Sequence, residues 1–174
     1  ILPIGLLKWW LIPFYRTGFQ AHTYIGLNVS GGLIPIVLAL YQFHRTQPLA
    51  ILIVTAIVAL ISYFLVTVVP GVMICFRYPR FWIVTIVAAL TAMAFVKGGV
   101  DRLDVPVAFA GGVLGTTIGA DLLHLRDVQP EKAATGLSIG GAGLDDGIGL
   151  CGLYALMIAE WLPTVMAGLF ANFK

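Results

Sequence analysis

Asp121, Asp145 and Asp146 stand at the edges of two long apolar runs, where a charge is costly and needs an explanation. Asp121 falls about one helical turn before the end of the run 105–125, and Asp145 and Asp146 open the run 147–170. The stretch between them leaves and returns on one face, so the acids share a side and a depth. Two carboxyls held together in a low-dielectric site cannot both ionise easily, and one of them keeps its proton. Such a pair can activate water as a base and protonate a leaving amine as an acid, the chemistry of an aspartyl-protease-like dyad. The same pair can bind a proton or a cation in a transporter.

The neighbouring residues suit either chemistry. Ser138, Gly140, Gly141 and Gly143 belong to the small, uncharged stretch 133–143, which can fold back at membrane depth and bring backbone groups close to a ligand. Asn28 opens a polar notch, Asn28, Ser30, Gly31 and Gly32, closed by Pro35, which reads as a broken helix lining the same cavity or as a site of close helix packing. His124 follows Asp121 by one turn and shares its face. That two-residue pattern is too sparse to define a metal site, and neither a metal nor a cofactor is expected. Plainer roles compete. Asp145 or Asp146 suits the N-cap of the last helix, and Asp121 can pair with Arg126 at the interface. Glu160 lies deep in the last run ahead of Pro163, where a kink or an early exit would expose it. Glycines before a helix can hold phosphate, but two aspartates at the same terminus repel an anion. Cys75 and Cys151 stand singly and read as small buried hydrophobes.

The elements that carry these groups are membrane spans. The chain of 174 residues is 60% hydrophobic and 10% charged, against about 25% charged in a soluble domain. Lipid is therefore the solvent that most of it suits, and a net charge of +2 gives no footing for nucleic acid. The expected fold is an all-α integral membrane protein, a single domain over 1–174. It is a bundle of about five transmembrane helices, with spans near 24–43, 49–69, 81–96, 105–125 and 147–170, and a glycine-rich loop before the last. Residues 1–20 read as an interfacial segment or the tail of a truncated helix. No small-residue cleavage site follows the apolar start, so a signal peptide is not expected. The loops sort the cations. Lys8, Arg16, Arg77, Arg80, Arg126 and Lys132 fall on one face, and Arg45, Lys97, Arg102 and Lys174 on the other, which makes the first face cytoplasmic.

The spans differ in texture. The fourth carries Gly111, Gly115 and Gly119 at four-residue spacing, which lets helices approach closely, with Thr116 and Thr117 able to hydrogen-bond across the contact. It should be central. The third, bulky and apolar, should face lipid, so that Ala89→Leu there is tolerated where Gly115→Leu is not.

Three stretches carry a resemblance: Asn28-Val-Ser-Gly-Gly-Leu-Ile-Pro35, Gly115-Thr-Thr-Ile-Gly-Ala-Asp-Leu-Leu123 and Ser138-Ile-Gly-Gly-Ala-Gly-Leu-Asp-Asp-Gly-Ile148. From about Tyr24 to Glu160 the chain resembles an uncharacterised family of prokaryotic multi-pass membrane proteins, a domain of unknown function. The resemblance implies an inner-membrane location and acids at Asp121 and Asp146. Asp145 departs from the pattern, where an apolar or aromatic residue is expected, as does the charged turn from Arg77 to Arg80. The layout also resembles, more weakly, the presenilin-type intramembrane aspartyl proteases, which pair one aspartate with a Gly-x-Gly-Asp at the next helix; here Gly141-Ala-Gly-Leu-Asp145 has one residue more. A third reading makes the chain a non-catalytic subunit of a larger membrane complex, with the bilayer and other membrane proteins as partners.

Overall fold

The computed structural model describes residues 2–3, 25–69, 73–76, 79–96, 102–125, 127 and 137–171. The 1–20 segment, apart from residues 2–3, lies outside the described residues, as do Lys8, Arg16, Arg77, Lys97, Arg126, Lys132 and Lys174.

The first span is built in pieces. A short strand β2 (Ile25–Leu27) leads through Asn28 into a π-helical turn, π1 (Val29–Leu33), and then helix α1 (Ile34–Tyr41). The Asn28 carbonyl accepts from both Gly32 N–H (3.1 Å) and Leu33 N–H (2.9 Å), which widens the turn. Pro35, which lacks an N–H, sits in the first turn of α1, where that donor has no helical partner. A 3-10 turn, Gln42–His44, ends this arm.

Helix α2 (Pro48–Leu65) starts on Pro48 for the same reason. It ends four residues before the boundary expected at Val69. Val66–Val69 forms strand β3, paired antiparallel with β4 (Met73–Phe76), Val66 opposite Phe76 and Val69 opposite Met73. The run Val-Thr-Val-Val is β-branched throughout, and hydropathy alone cannot separate such a run from a helix end. Helix α3 (Arg80–Phe95), helix α4 (Asp104–Thr116) with its continuation π2 (Thr117–Leu122), and helix α5 (Gly147–Ala171) complete the bundle. Helix α5 runs through Pro163.

The fold is thus mostly helical. Three of its helices, Pro48–Leu65, Asp104–Leu122 and Gly147–Leu169, are long and apolar enough to cross a membrane, and Val29–His44 and Arg80–Phe95 are shorter apolar helices. The fourth span is the hub, touching α1, α2, α3 and α5. It is 61% buried, against 39% for α2 and 28% for α5. Its glycines make this possible: a side chain at Gly111 would meet Val54, at Gly115 Val58, at Gly119 the Ala59 backbone, and at Gly112 the Gly152 backbone.

Two expectations are corrected. Helix α3 buries a full face, Val84, Thr85, Ala88, Ala89 and Ala92, and its large apolar side chains that point outward are Ile83, Ile86, Leu90 and Phe95. Ala89 is wholly buried, so enlarging it is not the mild change expected of a lipid-facing site. Of the two threonines expected to hydrogen-bond across the contact, Thr117 does not: its Oγ1 donates to Val113 O of its own helix at 2.8 Å, whereas buried Thr116 faces Cys151 of α5 across the helix contact.

The outward faces are apolar. Leu52, Leu60 and Phe64 on α2, Leu90 on α3, and Leu153, Met157, Trp161 and Val165 on α5 are all exposed. A water-soluble bundle would place polar side chains there.

Candidate functional site: the acid pair and the double-glycine clasp

The glycine-rich stretch is clasped against the notch of the first span. Strand β5 (Leu137–Ile139) pairs parallel with β2, Gly26 opposite Ser138 and Leu27 opposite Ile139, and β1 (Leu2–Pro3) covers the other edge of β2. Asn28 N–H donates to Ile139 O at 2.9 Å. The non-helical backbone here thus finds hydrogen bonds within the protein.

Beyond β5 the chain reverses through Gly140 and Gly143, both left-handed at φ +73 and +69, a conformation glycine adopts without steric cost. Gly143 N–H closes the turn on Gly140 O at 3.0 Å. The inner face of the turn meets the notch glycine to glycine: a side chain at Gly31 would strike the carbonyls of Gly140 and Gly143, and one at Gly140 would strike Gly31 and Gly32. The close backbone approach that the glycines allow is thus taken up by Gly31 and Gly32. Gly141 and Ser138 lie on the exposed side.

Asn28 holds the clasp from the other side. Its Oδ1 accepts from Ser30 N–H (2.9 Å), Ser30 Oγ–H (2.9 Å) and Gly31 N–H (3.2 Å), capping π1. A residue that sequence alone places in a cavity wall has its carbonyl oxygen committed to its own turn.

Asp146 follows the 3-10 turn Gly143–Asp145 and caps α5. Its Oδ1 accepts from Ile148 N–H at 3.0 Å, and its Oδ2 from Ala142 N–H at 3.3 Å, across the turn. It is partly buried, and burial lifts its carboxyl above the ordinary aspartate range, while the two N–H donors pull it back down. Asp145 is exposed and projects no bonded carboxylate.

Asp121 sits in the π2 turn at the far end of the fourth span. Among the described residues it has no hydrogen bond or ion pair, and its carboxyl lies within electrostatic reach of Asp146. Both π turns of the described chain, one capped by Asn28 and one carrying Asp121, lie at this end of the bundle. The wider turn re-aims side chains that an α-helix would align differently, which is why π turns recur at functional sites.

His124 does not join the acids. Its Nδ1 lies 3.0 Å from Gly119 O and 3.1 Å from Ala120 O, closing the end of π2. Its ring stacks on Tyr63 of α2 with centroids 4.6 Å apart, and Nε2 reaches Asp127 at 4.0 Å. Among the described residues no group of three His, Cys, Asp or Glu side chains has the arrangement of a metal site.

A family model described as Protein of unknown function (DUF1614) matches residues 7–158. The chain belongs to this family. No curated protein and no solved structure matches it. The matched span includes Ile25 to Leu33, the glycine turn and both acids of the pair.

A second charged cluster escaped sequence reasoning. Arg102, in a left-handed backbone at φ +43, bridges two helices, α4 and α5. Its Nε meets Asp104 Oδ1 at 3.2 Å, its Nη2 donates to Ala159 O at 2.6 Å, and the same nitrogen lies 3.8 Å from Glu160. Asp104 is buried at the start of α4. Glu160 is exposed, as expected, in a helix that runs on through Pro163, and it is paired at the opposite end of the bundle from Asp121, about 25 Å away by helical rise. The signal was available, because Glu160 follows Asp146 by 14 positions, about 21 Å of helix. It belongs with the loop before the fourth span, where Arg102 stands.

The Asp146 geometry gives a pH prediction. A carboxyl whose pKa is raised by folding costs stability when ionised and stops costing it as the pH falls through that raised pKa. Asparagine can still cap α5 but does not titrate. Wild type should therefore gain thermal stability relative to Asp146→Asn as the pH drops from 8 to about 4. Infrared spectra of the carboxyl band across the pH series would assign the titration: a band lost in Asp146→Asn should follow the same pH course as the stability difference, and a stability difference with no such band would mean that another group titrates.

Proposed function

We propose that this chain is an integral membrane protein of the prokaryotic inner membrane, crossing the bilayer with about five helices, and that the Asp121–Asp146 pair is its working centre, binding a proton or a small cation. The single observation that carries this is the Asp121 carboxyl, which has no hydrogen bond or ion pair among the described residues and stands in a π turn within electrostatic reach of Asp146. An acid with no partner of its own is where a cation would contribute most. The apolar outward faces support the bilayer setting, and the fixed, N–H-bonded Asp146 supports a site with one rigid and one free carboxylate.

Peptide hydrolysis is the second reading. It is favoured by the layout of two acids at abutting helix ends on either side of a glycine turn, the arrangement that an aspartyl dyad needs. A subunit role in a larger complex would leave the pair without chemistry of its own.

Purified protein in sealed vesicles, loaded with a pH-sensitive dye and driven by an imposed potential, tests the first reading. Wild type should carry protons or a monovalent cation across, and Asp121→Asn should reduce the flux by about tenfold or more. Equal flux from both proteins would remove the acid pair as a transport site. Cleavage of a transmembrane peptide by wild type but not by Asp121→Asn, followed by mass spectrometry, would transfer the site to hydrolysis. Neither flux nor cleavage, with co-purification of fixed partners, would leave the subunit role.

A further inference from the structure

At the end of the bundle remote from the acid pair, a groove of about 360 Å³ is lined by Tyr41, Gln42, Arg45, Thr46, Leu103 and Pro106. It lies where α1 ends, α2 begins and α4 begins, so its mouth is at the boundary of the apolar zone. Arg45 is the cation of this groove. Its guanidinium lies over the Tyr41 ring, 6.0 Å from the centroid, with Nη1 3.4 Å from the Tyr41 hydroxyl. Among the described residues no acid pairs with it. Asp104 and Glu160, at the same end of the bundle, are engaged by Arg102. Gln42 Nε2 donates to Leu38 O at 3.3 Å and has a second N–H to give. Directly below, Val37, Leu38, Leu40 and Tyr41 form an exposed apolar strip along α1.

The geometry points to a binding site for one anionic phospholipid, its phosphate held by Arg45 and Gln42 in the groove and its acyl chain laid along the α1 strip. Charge complementarity selects the headgroup: a guanidinium with no acid partner, pre-oriented by an aromatic ring, matches a phosphate oxygen pair. The neighbouring apolar strip selects a lipid over a soluble phosphate, since it would otherwise have no tail to cover it. The site rests on the bilayer reading proposed above, but not on the acid pair.

Flotation with phosphatidylcholine vesicles comes first and checks the bilayer reading itself. Native mass spectrometry of the detergent-extracted protein, offered equal phosphatidylglycerol and phosphatidylcholine, then counts retained lipid. Wild type should keep phosphatidylglycerol preferentially, and Arg45→Gln should reduce that retention by about tenfold, the scale of one charge-assisted contact. Arg45→Lys, which keeps the charge and loses the planar fork, should fall between. Arg80→Gln, an exposed cation at the opposite end, should retain lipid as wild type does. Failure to float would overturn both readings. Flotation without a phosphatidylglycerol preference, equal retention by Arg45→Gln, or displacement of the lipid by millimolar inorganic phosphate would overturn the lipid site alone.

Discussion

Gly119→Leu is expected to prevent the bundle from assembling. A side chain at Gly119 would run into the carbonyl, carbonyl carbon and Cα of Ala59, all of them backbone, so no neighbouring rotamer can yield. Overpacking of a core typically costs about 1–3 kcal/mol, and a branched side chain driven into a helix backbone belongs at or above the top of that range. The contact also joins α2 to the last turns of the fourth span, which is the hub. Separating them would loosen the end that carries Asp121. Heating the detergent-solubilised protein and following the monodisperse fraction by size exclusion should show Gly119→Leu aggregated before any heating. Leu90→Ala on α3, at a side chain 47% exposed on the outward face, should melt within a few degrees of wild type. Equal behaviour of the two variants would mean that the fourth span is not the packed centre.

Gly31→Ala should act more locally and still silence the candidate site. The added methyl would meet the carbonyls of Gly140 and Gly143. Both belong to a turn whose backbone is already fixed by left-handed glycines and by pairing of β5 with β2. The least costly response is to push the turn away from the notch. That movement would break the Asn28 N–H bond to Ile139 O and draw Ala142 N–H off Asp146. The expected cost is about 2 kcal/mol. It should be visible as faster amide exchange over residues 137–148 while the α2, α4 and α5 core keeps its protection. Cation flux should fall as it does in Asp121→Asn. Unchanged exchange in the turn would show that the clasp does not hold the acids in place.

The two expected outcomes have different roots in the sequence. The hub was legible, because Gly111, Gly115 and Gly119 recur at helical spacing, and a small-residue stripe in an apolar run has one physical use, close helix approach. Asp146 as a helix cap was legible too, from its place before a long apolar run. The clasp was not. The notch at Asn28 and the glycines near 140 are more than a hundred positions apart, and neither stretch says that its missing hydrogen bonds are supplied by the other. A parallel pairing of two three-residue strands has no periodicity long enough to read.

Read alone, the residues mark the apolar helical segments and the side chains too polar to stand in them by default. Hydropathy and charge are sums over a segment, and they survive without knowledge of the neighbours. Tertiary structure decided which face of α3 is buried, where α2 gives way to a hairpin, and which polar residues have partners. Ala89 is buried because α3 packs along the bundle with its alanine face inward. His124 is withdrawn from Asp121 because Tyr63 and two carbonyls claim its ring. Asp121, in the π turn, makes no hydrogen bond or ion pair among the described residues, and the charge within its reach is that of Asp146 from another element. Each of these is a pairwise outcome, fixed by what another element brings within a few ångströms, and no property of a single segment encodes it.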